Sequence, residues 1–399
     1  MRLVPHPATG VPGRDPVTPE RPSESDGPPG PAGPAGPADG AGLSLDALEG
    51  EARRTIGEMA YAYYAGGADD ERLLAGNVEA WTRWQLHPRV LAGIAGVDLA
   101  TTLLGTTVST PVALAPTAVQ GLAHSEGEVA TARAAAATGA LLVLSSLATC
   151  SLEEVAAAAP EAPRWMQVYI LRDRARTVDL VQRAAAHGYG ALVLTADAPV
   201  SGLRLRELRG GVRLPRDLAL PNLAGGSAQR AQTGGMMAVV TREFEPSLTT
   251  ADIGWLAGLS ELAVVVKGIQ RADDAVRCVE AGAAALIVSN HGARQLADAP
   301  ATADILGEII DAVGDRAEVY VDGGIRRAPD VVKALALGAR AALIGRPALW
   351  ALAAGGGVGG EDGVASLLQW FDTELRRTMA LCGAGSVDEL DRSLVRRAL

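Results

Sequence analysis

The chain has 399 residues, of which 48% are apolar and 4% aromatic, and it carries a formal net charge of −10. That acidic balance argues against nucleic acid or an anionic membrane as the main partner. Three well-separated cysteines and five scattered histidines are typical of a protein with reduced thiols and no structural metal site. Because no long apolar run or signal-peptide core occurs, we expect a cytoplasmic protein without a membrane span.

The beginning of the chain, residues 1–42, is rich in proline, glycine and alanine. Such a segment buries too little apolar surface to fold, so we predict a disordered tail there. A helical pattern follows over Leu45–Tyr64, with Ser44 as its N-cap and its end near Gly66. We expect residues 43–399 to form one domain.

From about residue 110 onwards, short apolar stretches alternate with amphipathic helical stretches. The predicted strands are Pro111–Pro116, Leu141–Ser146, Arg164–Ile170, Ala191–Ala196, Ala263–Gly268, Ala285–Asn290, Glu318–Asp322 and Ala341–Gly345. Eight strand–helix units over roughly 250 residues are typical of a (β/α)8 TIM barrel. A doubly wound sheet is the alternative, but glycine-rich strand ends occur in every unit rather than at one switch point. The sequence therefore predicts a single α/β barrel preceded by a helical extension.

The stretch 200–250 is too long for an ordinary connection between a strand and a helix. It contains Pro215, Pro221 and two pairs of adjacent glycines. Because long connections inside compact domains are usually functional, we predict that this stretch forms a lid over the site.

Polar residues follow the predicted strands, at the end of a barrel where active sites lie. His291 and Arg294 follow the sixth strand, which places a candidate base beside a candidate anion-binding group. The loops after the seventh and eighth strands commonly bind phosphate in this fold, through glycines and arginines. Here they contain Gly323, Gly324, Arg326, Gly345 and Arg346.

Several short motifs occur in a fixed order between about residues 45 and 395. They are Tyr63–Asp70, Ala115–Ala118, Leu144–Ser146, Gln167–Tyr169, Leu194–Asp197, Val266–Gly268, Ser289–Gln295, Val321–Arg327 and Gly345–Pro347. With these motifs the chain resembles the FMN-dependent 2-hydroxy-acid oxidases and dehydrogenases, typified by glycolate oxidase and lactate oxidase. The resemblance implies a barrel that holds FMN at its C-terminal face and oxidises an (S)-2-hydroxy acid to the 2-oxo acid.

The resemblance also implies which residues hold the cofactor. They are Pro116, Thr117, Ala118, Ser145, Gln167, Thr195, Lys267, Ser289, Asp322, Gly323, Gly324, Arg326, Gly345 and Arg346. The backbone of residues 116–118 is expected at the N5 and O4 edge of the flavin. Lys267 is expected near N1 and O2, where its charge stabilises the anionic reduced ring. Ser145, Gln167 and Thr195 are expected beside the pyrimidine, and the glycines and arginines at the 5′-phosphate.

For the substrate, the resemblance implies that Arg204 and Arg294 bind the carboxylate, because planar guanidinium groups suit it. Tyr63 is expected to add a hydrogen bond to the same group. Tyr169 is expected to bond the substrate hydroxyl. The substrate would be a small-molecule 2-hydroxy acid, without nucleic acid or membrane as a partner.

His291 is implied as the general base, and Asp197 as the group that stabilises the imidazolium that forms. Whether the substrate carbon gives up a hydride or a proton stays open. We expect the electrons to pass to O2, giving hydrogen peroxide. One alternative is a dehydrogenase with another acceptor, and a less favoured one is a redox-neutral FMN isomerase. An isomerase would leave Arg204, His291 and Arg294 unexplained.

Two stretches depart from the glycolate-oxidase pattern. Leu147 stands where that group has tryptophan, and Ser201 and Leu203 replace a bulkier apolar residue and a basic residue. Because losing an indole enlarges the space beside the substrate side chain, we expect a substrate larger than glycolate. The family commonly forms tetramers or octamers. We therefore expect a homo-oligomer and predict a homotetramer.

Overall fold

The computed structural model describes residues 43–223, 226–355, 357 and 359–398. The predicted disordered tail over residues 1–42 therefore lies outside the described residues. In the described part, eight parallel strands form a closed barrel, and we label them β1–β8. They are β1 Val112–Leu114, β2 Leu142–Leu144, β3 Arg164–Val168, β4 Ala191–Thr195, β5 Ala263–Ile269, β6 Ala285–Val288, β7 Glu318–Val321 and β8 Ala341–Ile344.

The sheet closes because β8 pairs in parallel with β1, with Leu343 opposite Ala113. A closed sheet has no switch point, so the barrel prediction is confirmed and the doubly wound alternative is excluded. The observed strands fall within their predicted ranges, except that β5 continues one residue further, to Ile269. A register shift between Lys267 and Ile269 accompanies this extension.

Helices surround the barrel and precede it. They are α1 Leu45–Ala65, α2 Arg72–Thr82, α3 Gly127–Thr138, α4 Leu152–Ala158, α5 Arg174–Ala186, α6 Leu205–Gly210, α7 Ser227–Glu243, α8 Ala251–Ala257, α9 Ala272–Glu280, α10 Thr302–Val313, α11 Ala328–Ala336, α12 Arg346–Ala353 and α13 Gly360–Cys382. Among these described helices, none has the length and apolar character needed to cross a membrane.

The predicted first helix is confirmed as α1. The Ser44 side chain accepts a hydrogen bond of 3.3 Å from the backbone of Ala47, and the helix ends at Gly66. It is kinked at Gly57, whose φ of 75° is not helical. The predicted lid stretch is not a plain loop, because it contains α6 and α7.

Large side chains fill the N-terminal half of the barrel interior. The rings of Trp165 and Tyr320 pack there with their centroids 5.5 Å apart. A hairpin formed by Thr101–Leu103 and Thr106–Val108 adds apolar side chains to the same cluster. The other face of each strand packs on the helices, which explains why the strands are almost continuously apolar.

Helix α2 packs against the loops that follow β6 and β7. Asn77 and Asn290 are almost fully buried and exchange two amide hydrogen bonds of 2.9 and 2.8 Å. Trp81 Nε1 donates a bond of 2.9 Å to the carbonyl of Gly323. Gly324 allows this close approach, because a Cβ there would lie 2.0 Å from the carbonyl oxygen of Asn77. A helix outside the barrel therefore positions the loop that was predicted to bind phosphate.

Replacing Asn77 by alanine is expected to lower the free energy of unfolding by about 1–3 kcal/mol, because Asn290 would lose the partner of a buried amide. Urea unfolding measures the change. The matched control is Glu79→Ala, on the exposed face of the same helix. The control should change stability by less than about 0.5 kcal/mol. An Asn77→Ala variant as stable as the parent protein would contradict this account.

Candidate active site

A cavity of about 1190 Å³, counting the open space at its mouth, lies among the loops that follow the barrel strands. All the predicted site residues except Asp197 and Ser289 line this cavity. Those two residues lie behind it, bonded to His291 and Lys267 respectively. The fold thus brings together side chains that are more than 280 positions apart in the sequence.

His291 follows β6 and is bonded to Asp197, which follows β4. The Nδ1 atom of His291 lies 2.9 Å from Oδ1 of Asp197. A neutral imidazole in this contact carries its proton on Nδ1, which leaves the Nε2 lone pair for another proton. Gly268 makes room for the carboxylate, because a Cβ there would lie 2.5 Å from Cβ of Asp197. The arrangement can act as a general base.

The electrostatic surroundings favour that protonation state. Burial lowers the pKa of His291 below its ordinary value, although the charge and hydrogen bond of Asp197 oppose the shift. Burial alone would raise the pKa of Asp197, but the hydrogen bond with His291 and the charge of Lys267 help to bring it below its ordinary value. At neutral pH the pair is therefore a neutral imidazole beside a carboxylate, which is the form that a base needs.

The loop that carries His291 has a strained backbone. The φ angles of His291, Gly292 and Ala293 are 57°, 61° and 64°, so three successive residues are left-handed. Each non-glycine residue in this region costs about 1–2 kcal/mol. The Ala68 N–H donates a bond of 2.8 Å to the carbonyl of Ala293, and Arg346 donates one of 2.9 Å to that of Gly292. These bonds from other parts of the chain hold the loop in place.

Arg294 is held by the C-terminal end of α1. Its Nη1 donates to the carbonyls of Tyr63 and Gly66, at 2.8 and 2.7 Å, and its Nη2 donates to Glu207 at 2.7 Å. Carbonyls at a helix C-terminus carry partial negative charge and stabilise a cation. The side chain of Arg294 is consequently fixed before any ligand binds.

Arg204 lies beside Arg294 and is similarly fixed. It donates to the carbonyl of Arg294 at 3.2 Å, to Glu207 at 3.4 Å and to the side chain of Gln295 at 3.2 Å. Each of the two guanidinium groups therefore uses three of its five N–H donors on the described residues. The remaining donors suit a carboxylate, which can accept about four hydrogen bonds. We call Arg204 and Arg294 the arginine clamp.

Tyr63 and Tyr169 line the cavity, and neither hydroxyl has a hydrogen-bond partner within the described ranges. The guanidinium of Arg294 lies 5.2 Å from the ring centroid of Tyr63. The ring of Tyr169 stacks on that of Phe244 at 4.1 Å. Burial raises the pKa of both hydroxyls, so they stay protonated and can donate to a ligand.

A buried polar network connects the ends of β2, β3 and β4. Gln167 Oε1 accepts a bond of 3.4 Å from Ser145 Oγ and one of 3.0 Å from the backbone of Ser146. Its Nε2 donates to Thr195 Oγ1 at 3.0 Å. Pro116, Thr117 and Ala118 line the same cavity after β1. This row of hydrogen-bonding groups can bind the donors and acceptors along one edge of a heterocyclic ring.

Lys267 is buried at the end of β5 and is paired with Asp322. Its Nζ lies 2.9 Å from Asp322 Oδ2 and 2.8 Å from Ser289 Oγ. Burial would lower the pKa of Lys267, but the charges of Asp322 and Asp197 raise it above its ordinary value. The other oxygen of Asp322 is buried without a partner among the described residues. A hydroxyl-bearing ligand in the cavity would supply the missing donor, as the ribityl chain of FMN can.

The predicted phosphate-binding end contains two partly buried arginines, Arg326 and Arg346. Arg346 donates to the carbonyls of Tyr64 and Gly66, at 2.9 and 2.8 Å. Burial and the charges of Arg294 and Arg326 lower the pKa of Arg346 to about 9. Within the described chain, the Arg326 guanidinium donates only to the carbonyl of the preceding residue. Two partly buried cations without an ion-pair partner among the described residues favour a bound anion such as phosphate.

Two features of the cavity were not anticipated from the sequence. One is Glu207, which accepts hydrogen bonds from both arginines of the clamp. The only sequence signal for its ion pair with Arg204 was the spacing of three residues between them. An apolar wall is formed by Leu147 with residues of the predicted lid, namely Met236, Val240 and Phe244. The spacing of Met236 and Val240 places them on one face of α7. The lid prediction did not identify them, because nothing in the sequence shows which face of a helix covers the cavity.

Comparisons with known proteins find relatives over most of the chain. The family model of FMN-dependent dehydrogenases matches residues 52–397. The chain is 44% identical to 2-hydroxyacid oxidase 1 of Mus musculus, over 89% of the chain and 96% of that protein. It is 46% identical to L-lactate oxidase of a Nostoc strain, over 88% of the chain and 98% of that protein. Among solved structures, mandelate oxidase with (S)-4-hydroxymandelic acid matches with a TM-score of 0.84 and 41% identity, over 89% and 99% of the two chains.

We expect Asp197→Asn to lower the pKa of His291 further, because the removed negative charge is one that raises it. Side-chain ¹⁵N NMR titration measures this pKa, with the signal assigned by its loss in His291→Ala. Asp388→Asn, at an exposed carboxylate, is the control and should leave the titration unchanged. A higher pKa in Asp197→Asn would show that the carboxylate does not stabilise the imidazolium.

Proposed function

Because the chain belongs to the family of FMN-dependent 2-hydroxy-acid oxidases, we propose that it oxidises an (S)-2-hydroxy acid larger than glycolate, reducing O2 to hydrogen peroxide. The cofactor is FMN. The observation that carries the proposal is that His291, Arg204 and Arg294 line one cavity. Within the described part of the chain, Nε2 of His291 and two N–H groups of each arginine have no partner.

When bound, FMN accepts the two electrons that the substrate loses. The residues assigned to its ring are Pro116, Thr117, Ala118, Ser145, Gln167, Thr195 and Lys267, with Ser289 supporting Lys267. Asp322 would accept a hydrogen bond from a cofactor hydroxyl through the oxygen that has no partner among the described residues. The phosphate is assigned to the loops after β7 and β8, through Gly323, Gly324, Arg326, Gly345 and Arg346.

The substrate carboxylate is assigned to the clamp, where Arg204 and Arg294 offer donors and Tyr63 adds its hydroxyl. Tyr169 bonds the substrate hydroxyl. His291 Nε2 takes up a proton that the substrate loses, and Asp197 stabilises the resulting imidazolium. Because both arginines are fixed by protein bonds, the carboxylate is oriented with little reorganisation of the site.

The apolar wall supports a substrate with an apolar side chain. Leu147 occupies less space than the tryptophan of the glycolate-oxidase pattern, and Ser201 also lines the cavity. Phe244 adds an aromatic face beside Tyr169. A branched or aromatic 2-hydroxy acid would bury its side chain here and gain about 25 cal/mol per Å² of apolar surface.

Oxygen as acceptor is supported by the names of the relatives, which include 2-hydroxyacid oxidase and L-lactate oxidase. The (S) configuration is supported by relatives named (S)-2-hydroxyacid oxidase. A cytoplasmic location and a tetrameric or octameric assembly remain part of the proposal. So does the assignment of residues 43–399 as one FMN-binding domain.

Reduction of the flavin by substrate tests the proposal directly. Anaerobic mixing with (S)-mandelate, (S)-lactate and glycolate should bleach the flavin absorbance, most efficiently with the larger acids. His291→Ala should retain FMN and lose about 10²–10⁴-fold in the rate of reduction, because the base is missing. In air, each turnover should yield one molecule of hydrogen peroxide.

Each alternative has its own result in this experiment. Bleaching with activity on an artificial dye but no peroxide would identify a dehydrogenase. Absence of bleaching by every 2-hydroxy acid would remove the proposed reaction and favour the isomerase. A highest kcat/KM with glycolate would show that the larger-substrate assignment is wrong.

Leu147→Trp tests the pocket for the substrate side chain. The indole should fill the space beside the wall and lower kcat/KM for mandelate relative to glycolate by about 10–200-fold. Because both substrates are compared in the same variant, a general loss of activity does not change the ratio of the two kcat/KM values. Leu381→Trp, which adds an indole at an exposed position of α13, should leave the ratio unchanged. An unchanged ratio in Leu147→Trp would place the side chain elsewhere.

A further inference from the structure

Glu207 is a buried carboxylate to which the proposed reaction gives no part. It lies on α6, is 6% exposed and contacts both arginines of the clamp. A single oxygen, Oε1, accepts from Arg294 Nη2 at 2.7 Å and from Arg204 Nη1 at 3.4 Å. The carboxylate is thus held by the same two groups that are assigned to the substrate carboxylate.

At this end of the cavity, the positive charges of the clamp therefore outnumber the negative charge of Glu207. Two guanidinium groups and one carboxylate leave the cluster with a net charge of +1. Burial lowers the pKa of Arg204, and the charge of Arg294 lowers it further, whereas Glu207 raises it. Glu207 is thus the counter-charge that allows two buried arginines to lie side by side.

A cluster of net charge +1 is balanced by one carboxylate. A second carboxylate on the same ligand would meet the negative charge of Glu207, with no cation of the clamp left to balance it. A ligand with one carboxylate also completes the hydrogen bonding of the clamp, since the described residues leave two N–H donors of each guanidinium group unused.

We propose that Glu207 is a specificity-determining residue, which sets the charge of the arginine clamp so that the site selects acids with one carboxylate over those with two. This inference rests on the proposed function only for the place where the carboxylate binds. It assigns a role to a side chain that need not touch the reacting atoms.

Binding of unreactive acids tests the inference without turnover. Succinate is propionate with one methyl hydrogen replaced by a second carboxylate, so it carries one more negative charge. The Kd values of the two acids follow from titrations of the flavin absorbance of the FMN-bound protein. The parent protein should bind propionate more tightly than succinate. Glu207→Gln keeps the size and the Oε1 acceptor but removes the charge. It should lower the Kd for succinate relative to that for propionate by about tenfold or more.

Three further variants separate charge from structure. Glu207→Asp keeps the charge and should keep the parent ratio of the two Kd values. Gln295→Glu adds a negative charge beside Arg204 and should weaken succinate more than propionate. Glu71→Gln removes a carboxylate that pairs with Arg206 outside the clamp, and it should leave the ratio unchanged.

The outcomes distinguish this inference from the proposed function. If the ratio stays at the parent value in both Glu207→Gln and Gln295→Glu, or if Glu71→Gln shifts it equally, the inference is overturned. A Glu207→Gln variant that weakens both acids equally would mean that Glu207 only shapes the clamp, which also overturns it. The reaction itself is judged separately, by flavin bleaching with 2-hydroxy acids in the parent protein.

Discussion

The contact between the last turn of α1 and two arginines is the constraint on which the site depends. Carbonyls of residues 63, 64 and 66 accept hydrogen bonds from Arg294 and Arg346. The partial negative charge of a helix C-terminus stabilises both cations in a buried place. One of these arginines belongs to the clamp and the other to the phosphate-binding end. A segment that precedes the barrel therefore fixes both anion-binding ends of the cavity inside it.

Charge balance explains how so many ionisable groups share one cavity. Lys267 is paired with Asp322, His291 with Asp197, and the clamp with Glu207. Among the described residues no carboxylate forms an ion pair with Arg326 or Arg346, which agrees with FMN as the cofactor because its phosphate brings negative charge. The clamp keeps one positive charge in excess, which the carboxylate of the proposed substrate would match. In the proposed site, each binding event would thus neutralise charge that the fold leaves uncompensated.

Backbone strain and glycine placement complete the site. The left-handed run at residues 291–293 directs the imidazole toward Asp197, and bonds from Ala68, after α1, and from Arg346, at the start of α12, hold it there. Gly268 and Gly324 sit where another backbone or side chain approaches too closely for a Cβ. Strain of this kind persists only where surrounding structure determines the conformation. The loop that carries His291 is accordingly held by hydrogen bonds from two other parts of the chain.

The alternation of apolar strands and amphipathic helices was enough to predict the barrel, because it is a local pattern with a period that can be counted. The same pattern indicated which strand ends carry polar groups, and the resemblance named the residues that the structure brings into one cavity. How these residues meet could not be predicted in this way. Glu207 and Arg294 are 87 positions apart, and their contact depends on the path of the stretch 200–250, which no periodicity specifies. The apolar wall depends equally on which face of α7 turns inward. Charge balance and shape are properties of groups brought together in space, so folding alone sets them.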